Sequence, residues 1–356
     1  MTTSLRVFLG SYADAEGPGV YACAFDETTG ALTLIDEVSG LQNPTFLDID
    51  AKRRILYALT EQPDEQGGRA GAAVAMEIAP DSGRLTPLGR ESTVPAPTCH
   101  IALDRERRAL LTSSYHGGLV GLSPLLPDGR VAPCADMHRH EGTSVLPVQS
   151  QARVHSVFMD QANRYAIVCD LGLDRVFVYR LDLDAMQLQP HGEAAVAPGS
   201  GPRHFAFHPT LPYGYVINEL NATITAFRYD EALGALEAIG TFPTLPDGYD
   251  GDNACADIHI SPDGRFLYGS NRGHDSIAVY AIDSDSGMLT LVQHAPTLGG
   301  HPRNFALSPD GRYLLVANRD GNHVVTFARD AESGKLTPTG HELQVSKPVC
   351  VKFAYI

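Results

Sequence analysis

GPRHFAFHPTLPYGYVINE, residues 201–219, sets an Arg, two His and a Glu into two short apolar runs. Pro202, Pro209 and Pro212 exclude a continuous helix, because each lacks the amide hydrogen a helix interior uses. The aromatic and β-branched residues around them fit two strands joined by a tight Pro-rich turn. Charged groups at the ends of short strands need a reason. Arg203 and Glu219 are expected together at the mouth of a channel, binding and working on a small anionic substrate.

The unit recurs, which decides the fold. NPTFLDIDAKRRILYALTE from residue 43, CADIHISPDGRFLYGSNR from 255 and HPRNFALSPDGRYLLVANR from 301 repeat the pattern, and there are six such copies. A second landmark alternates with it: a strand ending in an acidic residue, a short turn and a restart, as in AFDETTGALT, EIAPDSGRLT and AIDSDSGMLT. Asp or Ser before Gly between hydrophobic runs is hairpin chemistry, since Gly takes positive φ in the tight turn. The restart residues Leu32, Leu85, Val131, Leu188, Leu236, Leu289 and Leu336 lie 46 to 57 residues apart. Joined, the two landmarks make four strands per repeat, the signature of a β-propeller blade.

Seven hairpins against six complete units leave one blade split between the termini. SKPVCVKF near the C-terminus is expected to supply its first strand, and RVFLGSY, GVYACAFD and LTLIDEV at the N-terminus the other three. This closure removes an exposed sheet edge. No range reads as a linker, so residues 1–356 are expected to form a single all-β, seven-bladed propeller domain.

Composition bounds the partners. A net charge of −15 from 27 Lys+Arg and 42 Asp+Glu disfavours nucleic acid and anionic membranes, so an anionic substrate would need a local basic patch. The N-terminus MTTSLRVFLGSY carries no signal-peptide pattern, and no stretch approaches about 20 continuous apolar residues, so a cytoplasmic protein is expected. The six cysteines lack CxxC or zinc-ligand spacing and read as reduced and mostly buried. The longest repeat step contains a polar insertion, CADMHRHEGTSVLPVQS (residues 134–150), which is a candidate lid. His138, His140 and Glu141 within it fit solvated surface better than a metal site, and neither metal nor cofactor is expected.

Superposing the repeats places His155, Arg203, Ala256 and Arg303 in one slot, with Cys99 and Thr45 in the earlier blades. A second slot holds Glu219, Leu171, Arg272 and Arg319, with Tyr115, Glu61 and Tyr12 in the remaining blades. Equivalent positions in a propeller face the same axial opening. His155, Arg203, Glu219, Arg272, Arg303 and Arg319 therefore converge, and four arginines in one ring against a charge of −15 point to focused positive potential. His204, His208 and His259 alternate off the slot and read as packing or turn residues. Strand register decides all of this, because a slip of one residue reverses a side chain.

The motifs HSV (155–157), GPRHF (201–205), INEL (217–220) and SNRGHDSI (270–277) together resemble the seven-bladed propeller lactonases, a family that includes propeller-type 6-phosphogluconolactonase and 3-carboxy-cis,cis-muconate cyclase. The similarity spans essentially the whole chain. It implies His155, Arg203, Glu219 and Arg272 as catalytic residues, matching the ring from blade superposition; Arg303, Arg319, Tyr115 and Glu61 are the expected substrate contacts. The chain departs from the family at one point: members often read Pro-His-x-His where this sequence has Ala152, Arg153, Val154 and His155.

The expected activity is metal-independent hydrolysis of a sugar-derived or carboxylated lactone, 6-phosphogluconolactonase-like. His155 would be the base at neutral pH, Arg203 and Arg272 a fork for the substrate anion and the oxyanion, and Glu219 the group that orients an arginine or water or protonates the leaving oxygen. Two rivals stand beside it: lactonisation of a muconate by the same groups, and a non-catalytic YVTN-like binding propeller.

Overall fold

The computed structural model describes residues 4–64 and 67–356, leaving the first three residues of the N-terminal segment outside. Its strands form seven sheets of four antiparallel strands each, arranged as the blades of a propeller. The stretch at 201–219 is the inner half of one blade: Pro202–Phe207 and Tyr213–Asn218 pair across the Pro-rich turn. His208 builds that turn by accepting the amides of Thr210 and Leu211 at Nδ1.

Closure follows the sequence reading. Pro348–Tyr355 is the first strand of blade 1 and pairs with Leu5–Ser11, which leads to Val20–Phe25 and Leu32–Val38. Blades 2 to 7 then follow in chain order, with first strands at Leu47–Asp50, His100–Leu103, Val154–Met159, Pro202–Phe207, Ala254–Ile260 and Pro302–Leu307.

Each second strand is sandwiched between two neighbouring blades, so it reads as an unbroken apolar run. Tyr213–Asn218 and Tyr313–Asn318 are buried at every position, whereas the outermost Gln187–Ala195 buries two of nine. Between blades 4 and 5, for example, Ile167, Cys169 and Val178 pack against Phe205, Val216 and Phe227. Fully burying such side chains contributes about 1.5–3 kcal/mol each. Tyrosine latches add direction: Tyr57, Tyr215 and Tyr268 donate their hydroxyls to Gly129, Gly287 and Gly334 in the hairpin of the next blade, and Tyr313 closes the ring onto Thr28 of blade 1. Gly287 has φ of 73°, and a Cβ there would sit 2.6 Å from the Tyr213 ring. The turn and the blade contact thus both require glycine.

The polar insertion is not a lid. Asp136–Arg139 pairs with Leu119–Leu122 as the outer strand of blade 3, and the remainder is strapped onto blade 4. His140 is buried between Asp170 (2.7 Å) and the Tyr179 hydroxyl (2.8 Å), and Gln149 donates to the Leu171 carbonyl. Among the described residues no group of three or more His, Cys, Asp or Glu converges as a metal site, and no helix is long and apolar enough to cross a membrane.

Candidate active site at one axial opening

A β-bulge determines which side chains reach the axis. In blades 4, 5 and 7 the pairing of the first strand skips one residue, and the residues skipped are His155, Arg203 and Arg303. Blade 6 skips Ala256 and Asp257, and blade 1 skips Val349. A bulge lets two successive residues face the same way. The first of each pair forms an upper layer at one opening, and the second, including His100, His204, Asp257 and Asn304, forms a middle layer.

The middle layer fills the channel. Phe46, His100 and His204 meet across it with ring centroids 4.2 to 5.8 Å apart. His204 pairs with Asp257 at 2.7 Å, and Asp257 also takes His259 at 2.9 Å. Burial, followed by Arg203, depresses the His204 pKa to about 4. His204 is therefore a buried packing residue of the channel, and the part-exposed His259 borders the same network.

Above this floor lies a cavity of about 260 Å³ walled by Tyr12, Thr98, Tyr115, His155, Glu219 and Arg303, with Thr45, Glu61, Cys99 and His116 around them. Glu219 is the pivot. Its Oε2 receives Arg203 Nε and Arg272 Nη2, both at 2.8 Å, while Oε1 makes no hydrogen bond among the described residues. Burial raises its pKa, but Arg272, then Arg203 and Arg303, outweigh that and hold the carboxyl below its ordinary range. Arg203 is 1 % exposed, and its other contact is the Ala256 carbonyl. Burial, and then repulsion from Arg303 and Arg272, lowers Arg203 to about 9, so it stays charged at neutral pH. Arg272 donates to the carbonyls of Ala254 and Cys255.

This changes the expected division of labour. Arg203 and Arg272 were expected to fork the substrate, but neither lines the cavity; the bonds they make go to Glu219 and to backbone carbonyls. Arg303 is the guanidinium at the wall. It stacks over Tyr12 at 5.5 Å and has neither hydrogen bond nor ion pair among the described residues. Arg319 is not brought to the cavity, since Asp320 takes it in a bidentate pair at 2.6 and 3.0 Å. Glu61 lines the wall with its carboxylate bound to Arg69 and Asn43.

His155 is 4 % exposed, lines the cavity, and has a buried Nδ1 with no partner. Burial first, then Arg203, His204, Arg303 and Arg272, push its pKa well below the ordinary value, so the ring is neutral. The Cys99 thiol donates to the His155 carbonyl at 3.1 Å and is pushed up to about 11, mainly by burial. Arg153, the departure from the family motif, stacks at 4.8 Å over Tyr115, whose ring is 5.9 Å from His155. Thr98 and His116 escaped the sequence reading; Thr98 adjoins the slot residue and presents a buried hydroxyl with no partner.

Comparison with known proteins agrees with the seven-bladed architecture. A family model described as lactonase, 7-bladed β-propeller, matches residues 6–353. A Bacillus subtilis 6-phosphogluconolactonase is 34 % identical over 84 % of this chain and 83 % of its own length. One from Formosa agariphila is 35 % identical over 85 % and 86 %. Among solved structures, Pseudomonas aeruginosa periplasmic gluconolactonase superposes with a TM-score of 0.92 at 31 % identity, over 99 % of this chain and all of that one. From residue 6 to residue 353, the chain belongs to the seven-bladed β-propeller lactonase family.

Proposed function

We propose that the chain hydrolyses an anionic sugar lactone of the 6-phosphogluconolactone type, in the cavity walled by His155, Glu219 and Arg303. The observation that carries this reading is the convergence there of a neutral imidazole, an ionised carboxylate with one uncommitted oxygen, and an unpaired guanidinium. Relatives at about a third identity that carry the 6-phosphogluconolactonase name support it. Three arginines against one carboxylate leave two positive charges at the site, matching the charge of a phosphate monoester near neutral pH, about −1.5 to −2.

In hydrolysis, water adds to the lactone carbonyl carbon, the carbonyl electron pair moves to oxygen, and the ring C–O bond breaks as its oxygen takes a proton. His155 accepts the proton from water and returns it to the leaving ring oxygen as the carbonyl re-forms, and Glu219 Oε1 orients that water. Arg303 holds the anionic group and places positive charge where the oxyanion develops. Arg203 and Arg272 act at one remove by keeping Glu219 ionised and fixed. Binding an anion on Arg303 offsets one of the charges that depress His155, so the base strengthens when substrate is present. The six thiols, none in a disulfide, fit a reducing compartment, and we place the enzyme in the cytoplasm.

The test is acid release from 6-phosphogluconolactone, gluconolactone and a carboxylated muconolactone, measured above spontaneous hydrolysis. The phosphorylated lactone is expected to have the highest kcat/KM, and His155→Ala is expected to lower kcat on the order of a hundredfold or more. Failure to accelerate any of the three would refute the reading.

A further inference from the structure

The opposite end of the channel has a chemistry of its own. Three residues beyond the upper layer on each first strand lie Asp48, Phe158, Ala206, His259 and Lys352, and they line a second cavity of about 450 Å³. Arg105 and Arg107, from the turn between the first two strands of blade 3, join its wall. Phe46, His100 and His204 fill the channel between this cavity and the active site.

Three cations at this opening have no carboxylate partner. Lys352 lies 4.8 Å over the Phe46 ring and makes no hydrogen bond among the described residues. Among the described residues the Arg105 guanidinium donates only through Nε, to the Asp160 carbonyl, and that of Arg107 only through Nη1, to the Asp104 carbonyl. The nearby carboxylates are otherwise engaged. Asp104 accepts the amides of Glu106, Arg108 and Ala109, Asp160 accepts those of Arg164 and Tyr165, and Asp48 accepts those of Ile49 and Leu103. Those amide bonds leave the carboxylates charged, but in the cavity lining itself three cations face one carboxylate, Asp48, in a protein of net charge −15.

A histidine borders the same cavity. His100 lines this cavity, is 2 % exposed, and receives the Val157 amide at Nδ1 (3.4 Å). In the neutral ring the proton therefore sits on Nε2, and that nitrogen is buried without a partner. An unsatisfied buried donor costs about 1–3 kcal/mol. The opening thus offers the Lys352 ammonium and uncommitted guanidinium nitrogens of Arg105 and Arg107 against one lining carboxylate, Asp48, while His100 Nε2 stays packed among the Phe46, Phe158 and His204 rings. A ligand satisfying this set has to bring acceptors and negative charge.

We propose that the far axial opening is a second anion site, separate from the active site, that takes a phosphate-type oxyanion on Lys352, Arg105 and Arg107. The site does not depend on the lactonase reading, because none of its residues lines the active-site cavity.

Calorimetric titration of the full chain with inorganic phosphate at fixed ionic strength tests this. The wild type is expected to bind two phosphates, one lost in Arg303→Ala and the other weakened at least tenfold in both Lys352→Met and Arg105→Ala. Those two variants are expected to keep lactone turnover within about twofold of wild type. Lys352→Met retains the apolar stem over Phe46, and Arg105→Ala on its exposed turn carries the test alone if the first melts early. A parallel titration with methyl phosphate separates the sources: equal affinity assigns the site to the phosphate group itself, and tighter binding of the ester assigns it to phosphorylated metabolites. A single phosphate, lost in Arg303→Ala and unchanged in Lys352→Met and Arg105→Ala, would overturn the proposal. Two phosphates both unchanged in those variants would do so as well. Loss of lactone turnover with the second phosphate intact would remove only the enzymatic reading.

Discussion

Replacing Arg203 by Met isolates what the buried guanidinium does. Methionine keeps the unbranched stem but removes the charge, the bond to Glu219 Oε2 and the bond to the Ala256 carbonyl. A hydrogen bond to a charged partner contributes about 1.5–3 kcal/mol, and an orphaned buried carbonyl costs a further ~1–3 kcal/mol. Relief of repulsion with Arg272 and Arg303 offsets part of this, so a net loss of about 3 kcal/mol is expected, within the range for breaking a buried pair. The pH profile is the sharper readout. Burial raises the Glu219 pKa and arginines hold it down, so removing Arg203 lets it rise. For His155, Arg203 is the largest depressing influence after burial, so that pKa rises too. Both groups act deprotonated, and both would then be protonated at a higher pH than in wild type. The acid limb of kcat/KM must therefore move upward, while Arg203→Lys, which keeps charge but reaches fewer partners, should move it less and lose about tenfold in kcat/KM. Urea unfolding and kcat/KM from pH 4 to 8 on 6-phosphogluconolactone measure the two effects. An unmoved acid limb with stability within about 0.5 kcal/mol of wild type would refute the positioning role.

Deleting residues 346–356 removes the strand Pro348–Tyr355 and bares the pairing edge of Leu5–Ser11, so the chain should lose its cooperative melt. A truncated protein melting like the full chain would refute closure as a source of stability. Cys99→Ser should leave kcat within a few fold of wild type, because a thiol whose pKa lies near 11 supplies almost no thiolate at neutral pH. A loss as large as that of His155→Ala would reassign the nucleophile.

The fold was legible because its information is local and repeated. An acidic strand end followed by a short turn and an apolar restart marks each blade, and seven such hairpins with six complete inner units forced the split closure that pairs Leu5–Ser11 with Pro348–Tyr355. The outer strand Asp136–Arg139 was missed for the complementary reason. Its burial alternates between partial and exposed, so it carries no apolar pattern, and its place is set by pairing with Leu119–Leu122. Arg319 illustrates the limit of equivalence between blades. It occupies the same slot as Glu219, yet the adjacent Asp320 captures it, and capture by a neighbour is not visible in a repeat alignment.

The bulge is the feature that ties the repeat to the chemistry. In a regular strand, alternate residues face opposite sides, so Arg203 and His204 could not both face the axis. The skipped pairing allows both: one residue serves the upper opening and its successor seals the channel beneath. The seal gives the upper layer its electrostatics. With Phe46, His100 and His204 packed underneath, Arg203 is dry enough to fall to about 9, and His155 dry enough to remain neutral. Arg303, one blade beyond the cluster and stacked on Tyr12 from the other end of the chain, keeps its donors for a ligand. Had Asp257 faced the upper layer in place of Ala256, a second carboxylate would have cut the surplus there from two positive charges to one and weakened the pull on an incoming anion. Placing Asp257 in the middle layer, bound to His204, His259 and Asn304, keeps the surplus positive charge at the opening where the substrate arrives.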